Sequence, residues 1–362
     1  MYPPLQSTTG AIILALNVFP IFAGQDVDET LIAEEKPYTF KLSISPAGGY
    51  NSNVILLGEG LPLPPSISRQ DAAFFEIGSA ATFDWKSAPI AFAPDELLST
   101  DQVTLSYEYK ADFYEGISGF DPGVHAWSGK YTHLFDKQWG YRIETKDIYT
   151  TIDGHGYSNK TSVTPVITLQ AAQYAETIAK DLSAEFIFSF MTADFYFPPS
   201  LPARNMDANN YSAECSITFV PKKYDVAKFK IGFVHFRNDA DGSDYDYDRN
   251  RLQLSVETRF SRKPEDRLYD LKAIIKYFHD FDRYDHANSH AGFAFSRQDD
   301  RDDLGAGLTF DVLKSADRKS SRFAVNIQYH YLRDNSNVPF FNYPQHTIQA
   351  GCTYAFDELK WR

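Results

Sequence analysis

The chain has 362 residues, 43% of them hydrophobic and 15% aromatic, with 29 Phe and 23 Tyr against two Cys, and a formal net charge of -13. This composition excludes a disordered chain, a collagen and a disulfide-stapled scaffold. No charge-free apolar run reaches 18 residues and mean hydropathy is -0.38, which excludes a helical membrane protein; the acidic balance argues against general nucleic-acid binding.

Residues 1–25 carry no charged side chain, and Ala11–Ala23 is an apolar stretch of signal-peptide length followed by Gly24. The expectation is a signal peptide over 1–23, a periplasmic lead over 24–37, and an exported protein. From Tyr38 onward the pattern has period two. Phe75, Ile77, Phe83 and Trp85 alternate with Glu76, Thr82 and Asp84; Val103, Leu105, Tyr107 and Tyr109 alternate with Thr104, Ser106, Glu108 and Lys110. Further along, Leu252, Leu254 and Val256 alternate with Arg251, Gln253, Ser255 and Glu257, and Phe323, Val325, Ile327 and Tyr329 alternate with polar partners. Each is a strand with one apolar and one polar face. The predicted spans are 38–56, 71–85, 101–114, 122–135, 139–150, 160–175, 182–196, 209–220, 226–237, 247–261, 268–282, 301–313, 321–332 and 345–356.

Alternation alone does not say which face is wet. The strands are longer than those of soluble sheets, aromatic residues crowd their ends (Trp85, Trp139, Tyr141, Tyr329, Tyr354, Phe356), and the connections alternate short and long. Short turns are predicted near Asp136–Gln138, Ala179–Asp181, Pro221–Tyr224, Arg262–Asp266 and Lys314–Ser320. Long loops are predicted near Leu57–Gln70, Gly116–Asp121, Ile152–Asn159, Pro198–Ala208, Asn238–Asp246, Arg283–Arg301 and Arg333–Pro344, with an extra strand pair as an option within 284–300. Together these features predict an all-β fold: a single antiparallel transmembrane β-barrel over 38–357 with about 14 strands (12 or 16 as alternatives) and a tail at 358–362. An even count puts both termini on the short-turn, periplasmic side of a Gram-negative outer membrane.

Gly49-Tyr50-Asn51-Ser52-Asn53-Val54, Arg237-Asn238-Asp239-Ala240-Asp241-Gly242, Arg297 with Asp299-Asp300, Arg333-Asp334-Asn335-Ser336-Asn337 and the closing Tyr354-Ala355-Phe356 carry a resemblance. The chain is similar to bacterial outer-membrane β-barrels. More narrowly, it resembles the C-terminal barrel of surface lipoprotein assembly modifiers and tetratricopeptide-linked outer-membrane proteins. The resemblance implies insertion by the barrel assembly machinery and contact with membrane lipid and lipopolysaccharide; the narrower one implies a role in secretion or surface lipoprotein assembly.

With the polar faces inward, the lumen-lining charged candidates are Lys110, Arg142, Lys146, Lys228, Lys230, Arg251, Glu257, Arg259, Asp270, Lys272 and Lys276, with Glu76, Asp84, Glu108, Glu144, Glu185, Glu214 and Asp311 as further acids. The bases concentrate between Val226 and Phe281. A basic wall in a narrow channel concentrates anions, so one reading is a channel or transporter for small polar or anionic solutes. A structural barrel with a closed, salt-bridged lumen and a protein-export conduit are the alternatives. Asp239, Asp241, Asp244, Asp246, Asp299 and Asp300 form an acidic cluster assigned to outer loops, read as solvated carboxylates or as divalent-cation bridges to lipopolysaccharide. The nine His are scattered, without the spacing of a zinc site, and there is no Gly-x-Ser-x-Gly elbow. No metal, no cofactor, no catalytic residue and no nucleic-acid partner are expected. Cys215 and Cys352 fall on apolar faces of strands that are not neighbours, so no disulfide is expected.

Overall fold

The structure, a computed structural model, describes residues 38–357 apart from 57–68, 88–89, 92–97, 118–120, 136–138, 172–176, 197–201, 224–225, 261–268, 288, 290–294 and 315–320. The signal peptide, the lead and the tail expected from sequence lie outside the described residues.

The strands are β1 (Tyr38–Asn51), β2 (Ala72–Lys86), β3 (Ile90–Ala91), β4 (Leu98–Tyr114), β5 (Pro122–Phe135), β6 (Trp139–Ile152), β7 (His155–Gln170), β8 (Ala179–Phe195), β9 (Ala208–Pro221), β10 (Ala227–Ala240), β11 (Tyr247–Arg259), β12 (Tyr269–Ala287), β13 (Ser296–Lys314), β14 (Ser321–Ser336) and β15 (Tyr343–Asp357). The two-residue β3 pairs only with the start of β4. The other fourteen pair antiparallel in chain order, and β1 closes the ring by pairing with both β2 and β15. A closed sheet leaves no unpaired backbone edge, the requirement for a sheet surrounded by lipid. Lys41 pairs with Asp357, so both ends of the described chain lie at one end of the barrel, called here the near end.

Burial along each strand is inverted relative to a soluble protein. On β11, Leu252, Leu254 and Val256 are exposed, while Arg249 on the other face is buried; on β12, Ile275 is exposed while Asp280 and Asp282 are buried. Ile44, Leu105, Ile143, Ile167, Phe188, Ile231, Leu304, Leu308, Ile327 and Ile348 continue the exposed apolar band around the barrel. Such a continuous greasy exterior is untenable in water and matches the lipid face of a membrane barrel. Aromatic side chains mark the band's borders, among them Trp85, Trp139 and Phe356 toward the near end and Phe75, Phe113 and Tyr211 toward the far end. Phe135 stacks on Trp139 at 4.0 Å between centroids.

Three connections differ from expectation. The long loop predicted near Ile152–Asn159 is a two-residue hairpin turn between Ile152 and His155. Asp153 has φ 49° and Gly154 has φ 76°, the pattern of a type I′ turn, whose twist matches that of the flanking strands. The turn predicted at Ala179–Asp181 lies inside β8. The loop predicted over Arg283–Arg301 is largely strand: β12 and β13 are 19 residues each and pair as far as Ala287 and Ser296. No extra strand pair forms there among the described residues; Ala291 and Phe293 lie outside them.

One compact apolar cluster lies at the far end. The chain leaving β1 turns Val54, Ile55 and Leu56 onto Ala72, Ile117, Leu332 and Tyr343, with Tyr114 packed alongside. Ile55 is fully buried. Below it Gly49 is obligatory, because a Cβ there would sit 2.3 Å from the Ile348 carbonyl oxygen and 2.7 Å from the Phe74 ring. Cys215 and Cys352 are both free thiols.

Candidate functional site

Strand parity puts Lys110, Arg142, Lys146, Lys228, Lys230, Arg251, Glu257, Arg259, Lys272 and Lys276 on the inner face, opposite the exposed apolar positions of their strands. The Asp270 side chain lies outside the described residues. Several of these cations meet carboxylates. Lys110 Nζ is 2.6 Å from Glu76 and 3.7 Å from Asp112, and Lys230 lies between Glu185 at 3.6 Å and Glu214 at 3.4 Å. Near the base, Lys41 is 3.8 Å from Asp84, which also accepts a 2.7 Å hydrogen bond from Thr104.

The densest electrostatic structure is a lattice on β11–β14 toward the far end. Arg249 grips Asp282 with two hydrogen bonds of 2.7 and 2.6 Å. Arg251 grips Asp280 with two more, of 2.6 and 2.9 Å. Arg301 also donates to Asp280, through Nε at 3.1 Å and through Nη2. Arg297 donates to Asp299 and lies 3.4 Å above the Phe341 ring and 4.6 Å from the Tyr284 ring centroid. His330 Nε2 is 2.7 Å from Asp303. Bidentate guanidinium–carboxylate pairs are the strongest ion pairs that side chains offer. Their planar geometry, fixed on adjacent strands, makes this part of the wall rigid.

Arg249, Asp280, Asp282, Arg297, Arg301, Asp303 and Asp334 were not foreseen as lumen residues from sequence. The signal was present: Arg249, Asp280, Asp282, Arg301 and Asp303 share the inward parity within the predicted strands, and Arg297 and Asp334 continue it beyond the predicted strand ends. Asp299 and Asp300 do not belong to an outer-loop cluster, because β13 begins at Ser296. Asp299 faces inward onto Arg297, and Asp300 faces outward, 3.3 Å from His279 Nε2. The basic wall expected between Val226 and Phe281 is likewise corrected, since the lattice and the Lys230 cluster set carboxylates against much of it.

The remaining acids of that cluster tie the far-end connections together. Asn205 donates to Asp241 at 3.3 Å, and the Ser289 backbone amide donates to Asp244 at 2.8 Å. Arg237 bridges Asp246, Asp248 and Asp285, the last two at 3.3 and 2.8 Å. Burial raises the Asp246 carboxyl above its ordinary range, opposed by the Arg237 charge. Asp239 is exposed at the end of β10. Among the described residues no group of three or more His, Cys, Asp and Glu is placed to hold a metal ion.

A different stretch of wall carries cations that close no ion pair among the described residues. On β5–β7 the inward positions include Lys130, Arg142, Lys146 and Lys160, and the one carboxylate on that face among the described residues is Glu144. Arg142 Nε is buried without a hydrogen-bond partner. Lys160 lies 5.7 Å from the Phe195 ring centroid. Lys130 and Lys160 escaped the sequence reading.

No family model and no curated protein matches the chain. Solved structures that resemble it include the outer membrane protein OprD from Pseudomonas aeruginosa, at 8% identity and a TM-score of 0.41, covering 89% of this chain and 94% of that one. Acinetobacter baumannii OccAB3 gives 6% identity and a TM-score of 0.44, covering 89% and 99%. A bacterial polysaccharide outer membrane secretin gives 9% and 0.42, covering 88% and 98%. At these identities no residue role passes from them to this chain.

Proposed function

We propose that this chain is an outer-membrane β-barrel that serves as a passive channel for small polar solutes, with both ends of the barrel chain on the periplasmic side. The observation that carries the reading is the inverted burial: apolar residues such as Leu254 and Ile275 face out, and charged residues such as Arg251 and Asp280 face in. A charged interior inside a lipid-facing cylinder is a route for hydrated solutes. Membrane lipid, lipopolysaccharide and the insertion machinery are the partners this implies, and no chemical step is assigned to the chain.

The test is single-channel recording of the refolded protein in planar bilayers. Steady conductance supports the channel, and its absence over many verified insertions overturns it. The β11–β14 lattice favours a second reading, a barrel whose lumen is closed by ion pairs, and that reading predicts the silent outcome. The export role implied by the assembly-modifier resemblance has no support in the comparisons, and a partner protein co-purifying with the barrel would be needed to favour it.

A further inference from the structure

Resting on the channel reading, we propose that the inner wall of β5–β7 is an oxyanion-binding track, with Lys130, Arg142, Lys146 and Lys160 as its contact residues. The ladder register gives the spacing. Lys130 lies level with Glu144 in the ladder, Lys146 lies level with Ser128 and Ser162, and Lys160 lies level with Ile148. The inward levels of β6 are thus Arg142, then Glu144, then Lys146, then Ile148, and each has one cation on it or on the adjacent strand. At about 3.4 Å per residue, successive levels are about 6.8 Å apart, so the track covers about 20 Å along the strands.

Three features separate this wall from the rest of the lumen. First, its cations close no ion pair with any described carboxylate, whereas Lys110, Lys230, Arg249 and Arg251 are all engaged. Within β5–β7 Glu144 is the one described carboxylate set against these four positive groups, and Glu108 on β4, level with Lys160, is separated from it by Ala126 and Ile148. Second, unused polar atoms sit beside them. Arg142 Nε and the fully buried Ser158 Oγ have no hydrogen-bond partner, and Ser158 is the inward neighbour of Lys160 on β7. Third, the side chains on the Lys160 level are small: Ala193 and Ala208 on the next two strands, and Ala126 on β5.

Unneutralised cations beside small residues in a protein-walled lumen attract anions strongly. A guanidinium fork, ammonium groups and a hydroxyl suit the oxygens of a carboxylate or a phosphate. The shared chemistry is therefore a small oxyanionic solute, handed from level to level.

Two measurements test this. In planar bilayers under a KCl gradient, the wild-type protein is expected to favour chloride, and Lys146→Gln with Lys160→Gln should lower the chloride-to-potassium permeability ratio several-fold. An unchanged ratio overturns the track. The second measurement needs neither conduction nor a variant. Detergent-folded protein is labelled with trinitrobenzenesulfonate, itself an anion, and read lysine by lysine by mass spectrometry. Lys146 and Lys160 should react several-fold faster than Lys110 and Lys230. Sodium acetate or sodium phosphate should slow them in the folded protein alone, the more protective salt indicating the carboxylate or the phosphate class. Equal rates, or no protection by either salt, overturn the proposal. A barrel that is silent in bilayers yet shows fast, salt-protected labelling loses the channel reading and keeps the anion site.

Discussion

Arg251 and Asp280 meet side-on across β11 and β12, with Nε and Nη2 of the guanidinium on the two carboxylate oxygens at 2.6 and 2.9 Å. Asp280 is 1% exposed and serves Arg301 as well, with Arg249 3.7 Å away. One carboxylate thus organises three guanidinium groups. Removing it strands those charges in a poorly solvated wall, a loss of about 3–5 kcal/mol for a buried network. Asp280→Ala should lower the urea midpoint for folding into vesicles accordingly, and pairing it with Arg251→Met should recover part of the loss. A wild-type midpoint for Asp280→Ala would mean that the lattice does not hold the barrel together.

The alternation that predicts the barrel also fixes which residues face in, and β5 has the predicted bounds, 122–135. What sequence left hidden follows from what alternation measures. Where β12 and β13 outgrow the apolar band, both faces turn polar: Asp282 and Tyr284 face in while Arg283 and Asp285 face out, so the period-two signal fades and the segment reads as loop. Ion pairing is hidden for another reason. It depends on cross-strand register, such as Arg251 opposite Asp280, and a residue list holds no register. The wall with the most Lys and Arg in sequence is therefore not the wall with the most unpaired charge.

Lipid contact is testable at adjacent residues. Val256 is exposed on the outer face of β11 and Ser255 faces in. An Arg near the middle of the lipid face costs about 2–4 kcal/mol, and a lumen position tolerates charge. Val256→Arg should destabilise the vesicle-folded protein by that amount and Ser255→Arg should not. Equal tolerance would mean that the apolar face does not meet acyl chains.

The far-end apolar cluster makes a prediction about the pore. Ile55 has no exposed surface and packs with Val54, Leu56, Ala72, Ile117, Leu332 and Tyr343. Truncating such a residue costs about 2–5 kcal/mol, here concentrated on the segment after β1 rather than on the whole barrel. Ile55→Asp should free that segment and raise single-channel conductance while the strands stay folded by circular dichroism. An unchanged conductance would show that the segment does not narrow the far end.

The Asp153-Gly154 turn has consequences for stability. Both residues have positive φ, 49° and 76°, and the strands pair up to Ile152 and His155 on either side. Asp tolerates this backbone region through its short polar side chain, and Gly adopts it without a Cβ clash. A β-branched residue does neither, at a cost of roughly 1–2 kcal/mol. Gly154→Val should lower the folding midpoint by that amount, and Asp153→Asn should leave it unchanged. A neutral Gly154→Val would mean that the turn relaxes to a longer loop, and because β6 carries Arg142 and Lys146 while β7 carries Lys160, the alignment of the cation track would relax with it.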